Sequence, residues 1–75
     1  MKIRLTKETI FRLQHPKNLE IKKGLGKVLG VSHSTIWYHL KFNDINGCLT
    51  TEAVLQYLEA ELNMPRHQLI EIIED

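Results

Sequence analysis

The segment "GKVLGVSHSTIWYHLK", residues 26 to 41 of a 75-residue chain, contains the end of one predicted helix and the whole of the next. We expect one helix to end at Gly30, because glycine readily takes the left-handed conformation of a tight helix stop. A second helix then begins after Ser32, whose hydroxyl caps it, and carries Ile36 and Leu40 one turn apart on its core face. The stretch therefore predicts two helices joined at a sharp corner.

Gly26 marks the place where these two helices approach each other. A glycine inside a helix costs about 1 kcal/mol relative to alanine, so it needs a packing reason. Two helices that meet steeply through a short turn require a small residue at the contact and apolar residues that lock the corner. The apolar positions are Leu25, Leu29, Val31, Ile36 and Leu40. This spacing predicts a helix-turn-helix over residues ~18 to 41.

The segments before the corner are a strand-like start and one further helix. Thr6 is the expected N-cap of the first helix, which ends at His15-Pro16 because a residue before proline disfavours helical geometry. Asn18 is the expected cap of the second helix. Residues 1 to 5 alternate like a strand and are interpreted as an N-terminal arm or a short edge piece.

The segments after the corner are two more predicted helices. Thr50 opens the fourth helix, and Pro65 opens a fifth because proline is tolerated in a first helical turn. The fifth helix carries Leu69, Ile70, Ile72 and Ile73. We therefore predict an all-α fold, a compact five-helix bundle in a single domain of residues 1 to 75.

The charges are segregated along the chain, although the formal net charge is only +1. Residues 1 to 43 carry nine of the ten Lys and Arg residues against two acids, for a formal charge of +7. Residues 44 to 75 carry one arginine against seven acids, for a formal charge of −6. Such asymmetry favours an anionic partner for the first half, while the alternative is that these charges are merely solvated.

The composition limits the classes of function. Cys48 is the only cysteine, which excludes an internal disulfide and favours a reducing, cytoplasmic setting. No apolar run approaches the roughly 20 residues of a membrane span, and the first residues are too short for a signal peptide. The four histidines are scattered, and neither a nucleophile with its base nor a glycine-rich phosphate loop is present. We expect no catalytic residue, metal, cofactor, small-molecule ligand or enzymatic activity.

Residues 6 to 73, roughly, resemble the lambda-repressor-like domains, the five-helix fold of phage Cro and repressor proteins. The likeness rests on the corner and on "LTTEAVLQYLEAELNMPRHQLIEII", residues 49 to 73, where a leucine-rich fourth helix and a short fifth helix would close the core. The third helix, "GVSHSTIWYHLK", is also similar to the recognition helix of tetracycline-repressor-type regulators. Gly24 and His39 depart from the lambda-repressor pattern.

The resemblance implies that the outward face of the third helix enters the major groove of DNA. His33 and Ser34 would reach base edges, Trp37 would contact thymine methyls or sugar-phosphate, and Tyr38 would donate to phosphate. Lysines at the start of the second helix fall where relatives anchor the adjacent DNA backbone. The candidate DNA-binding residues are Lys22, Lys23, Ser32, His33, Ser34, Trp37, Tyr38 and Lys41.

Two classes of function remain open at this point. The first is a sequence-specific regulator that binds double-stranded DNA, of phage, plasmid or mobile-element type, with excisionase and antitoxin roles as variants. The second is a helical protein–protein interaction module that uses the Trp37-Tyr38 face on a partner protein. The positive first half of the chain favours DNA.

A homodimer is the expected form on DNA, because one recognition helix covers only a few base pairs. We expect the fifth helix to form the interface, since its isoleucines span a wider arc than one core needs and would leave Ile70 or Ile72 exposed. The alternative is a monomer that buries all of them against its own first and fourth helices.

Overall fold

Helices account for most of residues 2 to 73, the part of the chain that this computed structural model describes. Met1, in the predicted arm, and Glu74 and Asp75, at the end of the predicted domain, lie outside the described residues. The helices and strands are β1 (Lys2–Leu5), α1 (Lys7–Gln14), α2 (Leu19–Leu29), α3 (His33–Phe42), α4 (Glu52–Leu62), α5 (Arg66–Leu69) and β2 (Ile70–Ile73). Two 3-10 turns, Pro16–Asn18 and Cys48–Thr50, precede α2 and α4. The mostly helical class is thus confirmed.

A two-stranded antiparallel sheet makes the all-α prediction wrong. The strand β1 pairs with β2, with Ile3 opposite Ile72 and Leu5 opposite Ile70. The predicted fifth helix consequently ends at Leu69, after a single turn. The physical reason is that three of the four residues of β2 are β-branched and find an alternating partner strand, whose pairing satisfies their backbone groups.

The predicted caps at Thr6, Gly30 and Ser32 are confirmed. The Thr6 hydroxyl oxygen accepts a hydrogen bond from the Thr9 N–H, and Ser32 Oγ accepts one from the Thr35 N–H. Gly30 ends α2 at φ 70°, the left-handed conformation that favours glycine. The sequence therefore determines both sides of the turn between α2 and α3.

Asn18 occupies the predicted N-cap position of α2 but makes no side-chain cap bond, and the predicted start of the fourth helix at Thr50 is wrong. The Asn18 side chain instead donates from Nδ2 to the Arg12 carbonyl at 2.7 Å, closing the turn after α1. Thr50 lies in the second 3-10 turn, where its hydroxyl donates to the Gly47 carbonyl, and α4 begins two residues later at Glu52. Short polar side chains serve turns and caps equally well, so residue type alone does not separate the two.

One apolar core joins β1 to every helix. Its buried members are Leu5, Leu13, Leu25, Ile36, Leu40, Leu49, Val54, Leu55, Leu58, Met64 and Leu69. Thr9 is the one buried polar side chain among the described residues, and its hydroxyl donates to the Leu69 carbonyl at 3.1 Å. This bond joins α1 to the junction of α5 with β2.

The close approach predicted at Gly26 is confirmed. Gly26 is buried, and a Cβ atom there would lie 3.1 Å from the Val31 carbonyl oxygen and 3.6 Å from Ile36 Cγ1. The Val31 N–H donates to the Gly26 carbonyl at 2.9 Å. The backbone of the turn therefore rests directly against α2, which fixes the start of α3.

Gly24, which departs from the lambda-repressor-like pattern, is required by the packing of α4 on α2. A Cβ atom there would overlap the phenol of Tyr57, which lies across α2. The Tyr57 hydroxyl donates to the Ile21 carbonyl at 2.8 Å. Glycine at this position thus lets α4 dock against α2.

Candidate nucleic-acid interface

The helix α3 has one fully buried face and one exposed face. Ile36 is 0% exposed and Leu40 is 1% exposed, and both belong to the core. Trp37 and Tyr38, which lie between them in sequence, are 51% and 57% exposed. The predicted outward orientation of both aromatic side chains is confirmed.

The start of α3 presents small polar groups to solvent. Ser32, His33 and Ser34 are all exposed, and the Ser32 hydroxyl already serves the helix cap. The side chains of His33 and Ser34 make no hydrogen bond to any residue between 2 and 73. The first N–H groups of a helix carry a partial positive charge that favours an anion such as phosphate.

An aromatic cluster covers the C-terminal half of the exposed face of α3. The rings of Tyr38 and Phe42 have centroids 4.4 Å apart and an interplanar angle of 46°. Lys41 Nζ lies 5.4 Å from the centroid of the Trp37 ring. The cluster therefore combines apolar surface with a cation held over an aromatic face.

Phe42 is a member of this cluster that the sequence analysis missed. It is 52% exposed and follows Tyr38 by four residues, the spacing that brings two side chains together on one side of a helix. That spacing was the available signal. The predicted helix-turn-helix ends at about residue 41, which leaves Phe42 outside it, whereas α3 extends to Phe42.

The two candidate lysines of α2 lie on different sides of that helix. Lys22 precedes Gly26 by one turn, so it shares the flank of α2 that approaches α3, and it is half-buried. Lys23 lies further outward, with its ammonium 3.8 Å from a Glu20 carboxylate oxygen. Both side chains of that pair are largely exposed, so the attraction between them is weak.

Lys22 and Lys41 carry charges that no carboxylate in the described part of the chain pairs. An ammonium group left near an aromatic surface is a ready contact for a phosphate. The structure thus brings Lys22 to the α3 side of α2 and places Lys41 on the exposed face of α3 itself.

A groove between α1 and α3 extends this surface. It has a volume of about 340 Å³ and is lined by Lys7, Ile10, Phe11, Gln14, Leu40, Lys41 and Asn43. Phe11 is 68% exposed, the largest exposure of any large apolar side chain among the described residues. Lys7, Phe11 and Gln14 could not be predicted as part of this surface from the sequence, because nothing in the first helix alone reveals that it flanks α3.

The remaining titratable side chains of the described residues are scattered, apart from one small cleft. No group of three or more His, Cys, Asp and Glu side chains between residues 2 and 73 is placed to hold a metal ion. His39 and Cys48 line one small cleft of about 120 Å³ with Asp44, and burial raises the pKa of the Cys48 thiol. A raised pKa keeps that thiol protonated and unreactive at neutral pH.

Two further findings concern membrane spans and known proteins. Of the helices formed by residues 2 to 73, none is both long enough and apolar enough to cross a membrane. Comparison of the chain with protein-family models, with curated proteins and with solved structures found no match. The physical properties of the surface described above therefore carry the argument about function.

Proposed function

We propose that this protein is a small transcriptional regulator that binds double-stranded DNA in a sequence-specific manner, with α3 in the major groove. In this proposal α2 and α3 form a helix-turn-helix, and the five helices follow the lambda-repressor-like arrangement with the β1–β2 sheet added. The observation that carries it is the exposed face of α3, which presents two large aromatics and Lys41, while the opposite face of the helix is buried in the core. No carboxylate of residues 2 to 73 pairs that lysine. A rigidly held helix with such a face fits a groove that admits one helix.

Each residue of the exposed face has a role in this proposal. His33 and Ser34, whose side chains make no hydrogen bond within residues 2 to 73, read base edges from the start of α3. Trp37 contacts thymine methyls and sugar with its apolar ring, and Tyr38 donates its hydroxyl to a phosphate. The Ser32 hydroxyl accepts from the Thr35 N–H and also shares a 3.0 Å hydrogen bond with the Thr35 hydroxyl. In this proposal Thr35 is the donor in that second bond, which leaves the Ser32 proton for a phosphate.

The lysines on either side of α3 contact the DNA backbone in this proposal. Lys22 and Lys23 project from α2 on one side, and Lys41 projects beside the groove that also contains Lys7. Contacts to phosphate set the position of a protein on the duplex, while contacts to bases set its specificity. We therefore expect lysine substitutions to weaken binding to all DNA sequences alike. Substitutions at the start of α3 should mainly weaken binding to the preferred DNA sequence.

A protein–protein interaction module is the second candidate, and one observation favours it. Tyr38, Phe42 and Phe11 are all more than half exposed, and the first two rings pack against each other. Exposed clusters of aromatic side chains also mark protein interfaces. The two candidates differ in their salt dependence, because binding to DNA releases counterions and binding through aromatics does not.

Selection of bound duplexes from a random pool tests the proposal most directly. We expect an enriched sequence motif, and binding to the enriched duplex that weakens steeply as salt is raised. Recovery of unenriched DNA with the same affinity for every duplex would contradict sequence-specific binding. The absence of binding at low salt would favour the protein–protein module.

Lys22→Ala tests the backbone contacts separately. Each phosphate contact that is lost should reduce the slope of log affinity against log salt by about 0.9, on specific and random duplexes alike. Lys23→Ala should do the same if the weak pair with Glu20 opens on binding. Arg66→Gln is the matched control, because it lowers the net charge equally but lies on α5, where Glu52 and Glu59 already pair it. An unchanged slope in both lysine variants would show that these charges are merely solvated.

A further inference from the structure

The helix α1 has two sides of different character. Thr9 and Leu13 are fully buried and hold one side of α1 against the core. Lys7, Phe11 and Gln14 follow one another at helical spacing and are all exposed. Because α1 lies beside the end of α3, this exposed side forms one wall of the groove between the two helices.

The lining of this groove is apolar in its middle. Ile10 is half-buried and Leu40 is almost fully buried, while Phe11 beside them is 68% exposed. The volume of about 340 Å³ lies at the lower end of the range of roughly 300–1,000 Å³ that is typical of binding pockets. The groove therefore has room for a few apolar side chains of a partner, and covering the Phe11 ring would remove apolar surface from water.

The two walls of the groove each carry a positive charge. Lys7 projects from α1 and Lys41 from α3, and no carboxylate of residues 2 to 73 lies within ion-pair distance of either ammonium group. Glu8, the acid next to Lys7 in sequence, pairs instead with Arg12 at 3.0 Å. The acids of the described residues thus leave the charge of the groove uncompensated.

We propose that the groove between α1 and α3 binds an acidic amphipathic helix of a partner protein. The apolar face of that helix packs on Ile10, Phe11 and Leu40, as in other complexes in which a helix occupies an apolar groove. Its flanking carboxylates pair with Lys7 and Lys41 on the two walls. Charge complementarity selects this occupant, because a neutral apolar segment would leave two ammonium groups unpaired and partly desolvated. A DNA backbone would pair the lysines but offer little to the apolar lining.

Lys41 connects the groove to the face of α3 that the proposed function assigns to DNA. Its ammonium lies 5.4 Å from the centroid of the Trp37 ring, at the border between the two surfaces. A partner that pairs with Lys41 therefore covers a cation assigned to the DNA backbone. Binding of the partner and binding of DNA should exclude each other, and this consequence alone rests on the proposed function.

A synthetic peptide tests the proposal on the full chain without DNA. The probe is a labelled helix of about 15 residues, with leucines along one face and glutamates on both flanks. We expect fluorescence anisotropy to give a dissociation constant of about 10–500 μM. The same peptide with lysine in place of glutamate, or serine in place of leucine, should bind about tenfold more weakly or worse, because it loses the ion pairs or the apolar contacts. Failure of the first peptide to bind, or equal binding of all three, would overturn the proposal.

Two variants place the peptide in the groove. Phe11→Ser and Lys7→Ala should each weaken peptide binding by about fivefold or more, and both should fold because the substituted side chains are exposed. Ile72→Ser and Lys27→Ala are the matched controls, because they make the same changes at exposed positions outside the groove. Circular dichroism checks the fold of all four variants. Controls that weaken binding as much as the groove variants would contradict the assignment.

Further outcomes would assign the groove to a different occupant. Peptide binding that depends on Tyr38 and not on Phe11 would place the peptide on the exposed face of α3 and overturn the proposal. Loss of duplex binding in Phe11→Ser, together with no peptide binding, would assign the groove to DNA. A parent chain that self-associates in sedimentation, and that Phe11→Ser makes monomeric, would assign it to a second copy.

Competition with the selected duplex separates this proposal from the proposed function. Displacement of the peptide by the duplex is the expected result, because both need Lys41. Simultaneous binding of the two would refute their mutual exclusion. If no duplex binds the protein, the proposed function fails, whereas peptide binding that depends on Phe11 and Lys7 would still establish the groove as a protein-binding site.

Discussion

The helices α3 and α4 both expose one side to solvent, but the exposed polar side chains of α4 are hydrogen-bonded to one another or to Arg66, whereas Trp37 and Tyr38 on α3 are not. On α4, Glu52 and Glu59 accept hydrogen bonds from the Arg66 guanidinium at 2.7 Å each, and Gln56 donates to Glu52. On α3, the side chains of Trp37 and Tyr38 make no hydrogen bond to residues 2 to 73. The difference indicates which surface supports the fold and which one remains available to a partner.

Gly26→Leu should have the largest effect on stability, because it disrupts the contact of α2 with Val31 and Ile36 that holds α3 in place. The new side chain would enter a space in which a Cβ atom alone already lies 3.1 Å from the Val31 carbonyl oxygen. Overpacking of this kind typically costs about 1–3 kcal/mol of the free energy of unfolding. Chemical denaturation measures the loss.

Lys27→Leu is the matched control for this prediction. It adds the same side chain at the next position of α2, which is exposed, and should leave the free energy of unfolding within about 0.5 kcal/mol of the parent. Equal stability of the two variants would show that the corner does not depend on Gly26. The position of the exposed face of α3 would then lack its structural basis.

Trp37→Ala should have the next largest effect, on binding rather than on folding. Under the proposed function it should weaken binding to the selected duplex by about 1–3 kcal/mol and leave binding to random duplexes nearly unchanged. Ser34→Ala should act in the same direction. Competition binding on both duplexes measures the ratio, with Gln56→Ala on α4 as the control that should change neither affinity.

An equal loss on both duplexes would contradict base readout by these two residues. It would assign Trp37 and Ser34 to contacts with the DNA backbone, which are the same for every sequence. A loss of stability in Trp37→Ala would contradict the conclusion that the exposed face of α3 does not support the fold. The ring is half exposed and its loss should leave the core intact.

The corner between α2 and α3 could be predicted from the sequence because its determinants are local. Gly26, Gly30 and Ser32 act within a few residues of one another, and each was placed correctly. The end of the chain could not be predicted in this way. Ile70–Ile73 has apolar residues that suit a helix or a strand, and its state is decided by pairing with residues almost seventy positions earlier.

The residues of the candidate site likewise fall into those that local sequence determines and those that tertiary packing determines. The outward face of α3 follows from helical periodicity alone, so Ser34, Trp37, Tyr38 and Lys41 were placed correctly on it. The groove lined by Lys7, Phe11, Gln14 and Lys41 depends on how α1 packs beside α3, which no local pattern encodes.

Tyr57→Phe should have a smaller effect, and it tests the contact by which α4 docks on α2. It removes the hydrogen bond to the Ile21 carbonyl, which should cost about 1 kcal/mol of the free energy of unfolding. Gly24→Ala should also destabilise, because the phenol must move away from the added methyl group. Thermal and chemical denaturation of the single and double variants measure the coupling.

The double variant decides whether the two residues act through one contact. If Gly24→Ala displaces the phenol, the hydroxyl has already lost its partner, so the two losses should sum to more than the loss in the double variant. Strict additivity would show that Gly24 is required for another reason. In that case the docking of α4 would not explain the departure from the family pattern.

The smallest predicted effect concerns the ion pairs of Arg66. Hydrogen bonds from the Arg66 guanidinium lower the pKa of Glu52 below its usual range, with a smaller contribution from Gln56. A carboxylate with a lowered pKa stabilises the folded state above its unfolded pKa of about 4.3, and this contribution is lost as the pH falls through the folded value. Because the pair lies at the surface, we expect a small contribution that about 1 M salt largely removes.

Arg66→Gln measures how much the Glu52–Arg66 ion pair contributes to the free energy of unfolding. The parent should lose stability more steeply than the variant as the pH is lowered from about 5 to about 3, and the two should converge at the acid end because Glu52 is then protonated in both. The same variant should bind the selected duplex with nearly the affinity of the parent, whereas Lys22→Ala should not. If Arg66→Gln weakened DNA binding more than Lys22→Ala, a cation that the fold has already paired would be acting as a DNA contact. The distinction between the paired surface of α4 and the unpaired surface of α3 would then fail as a guide to function.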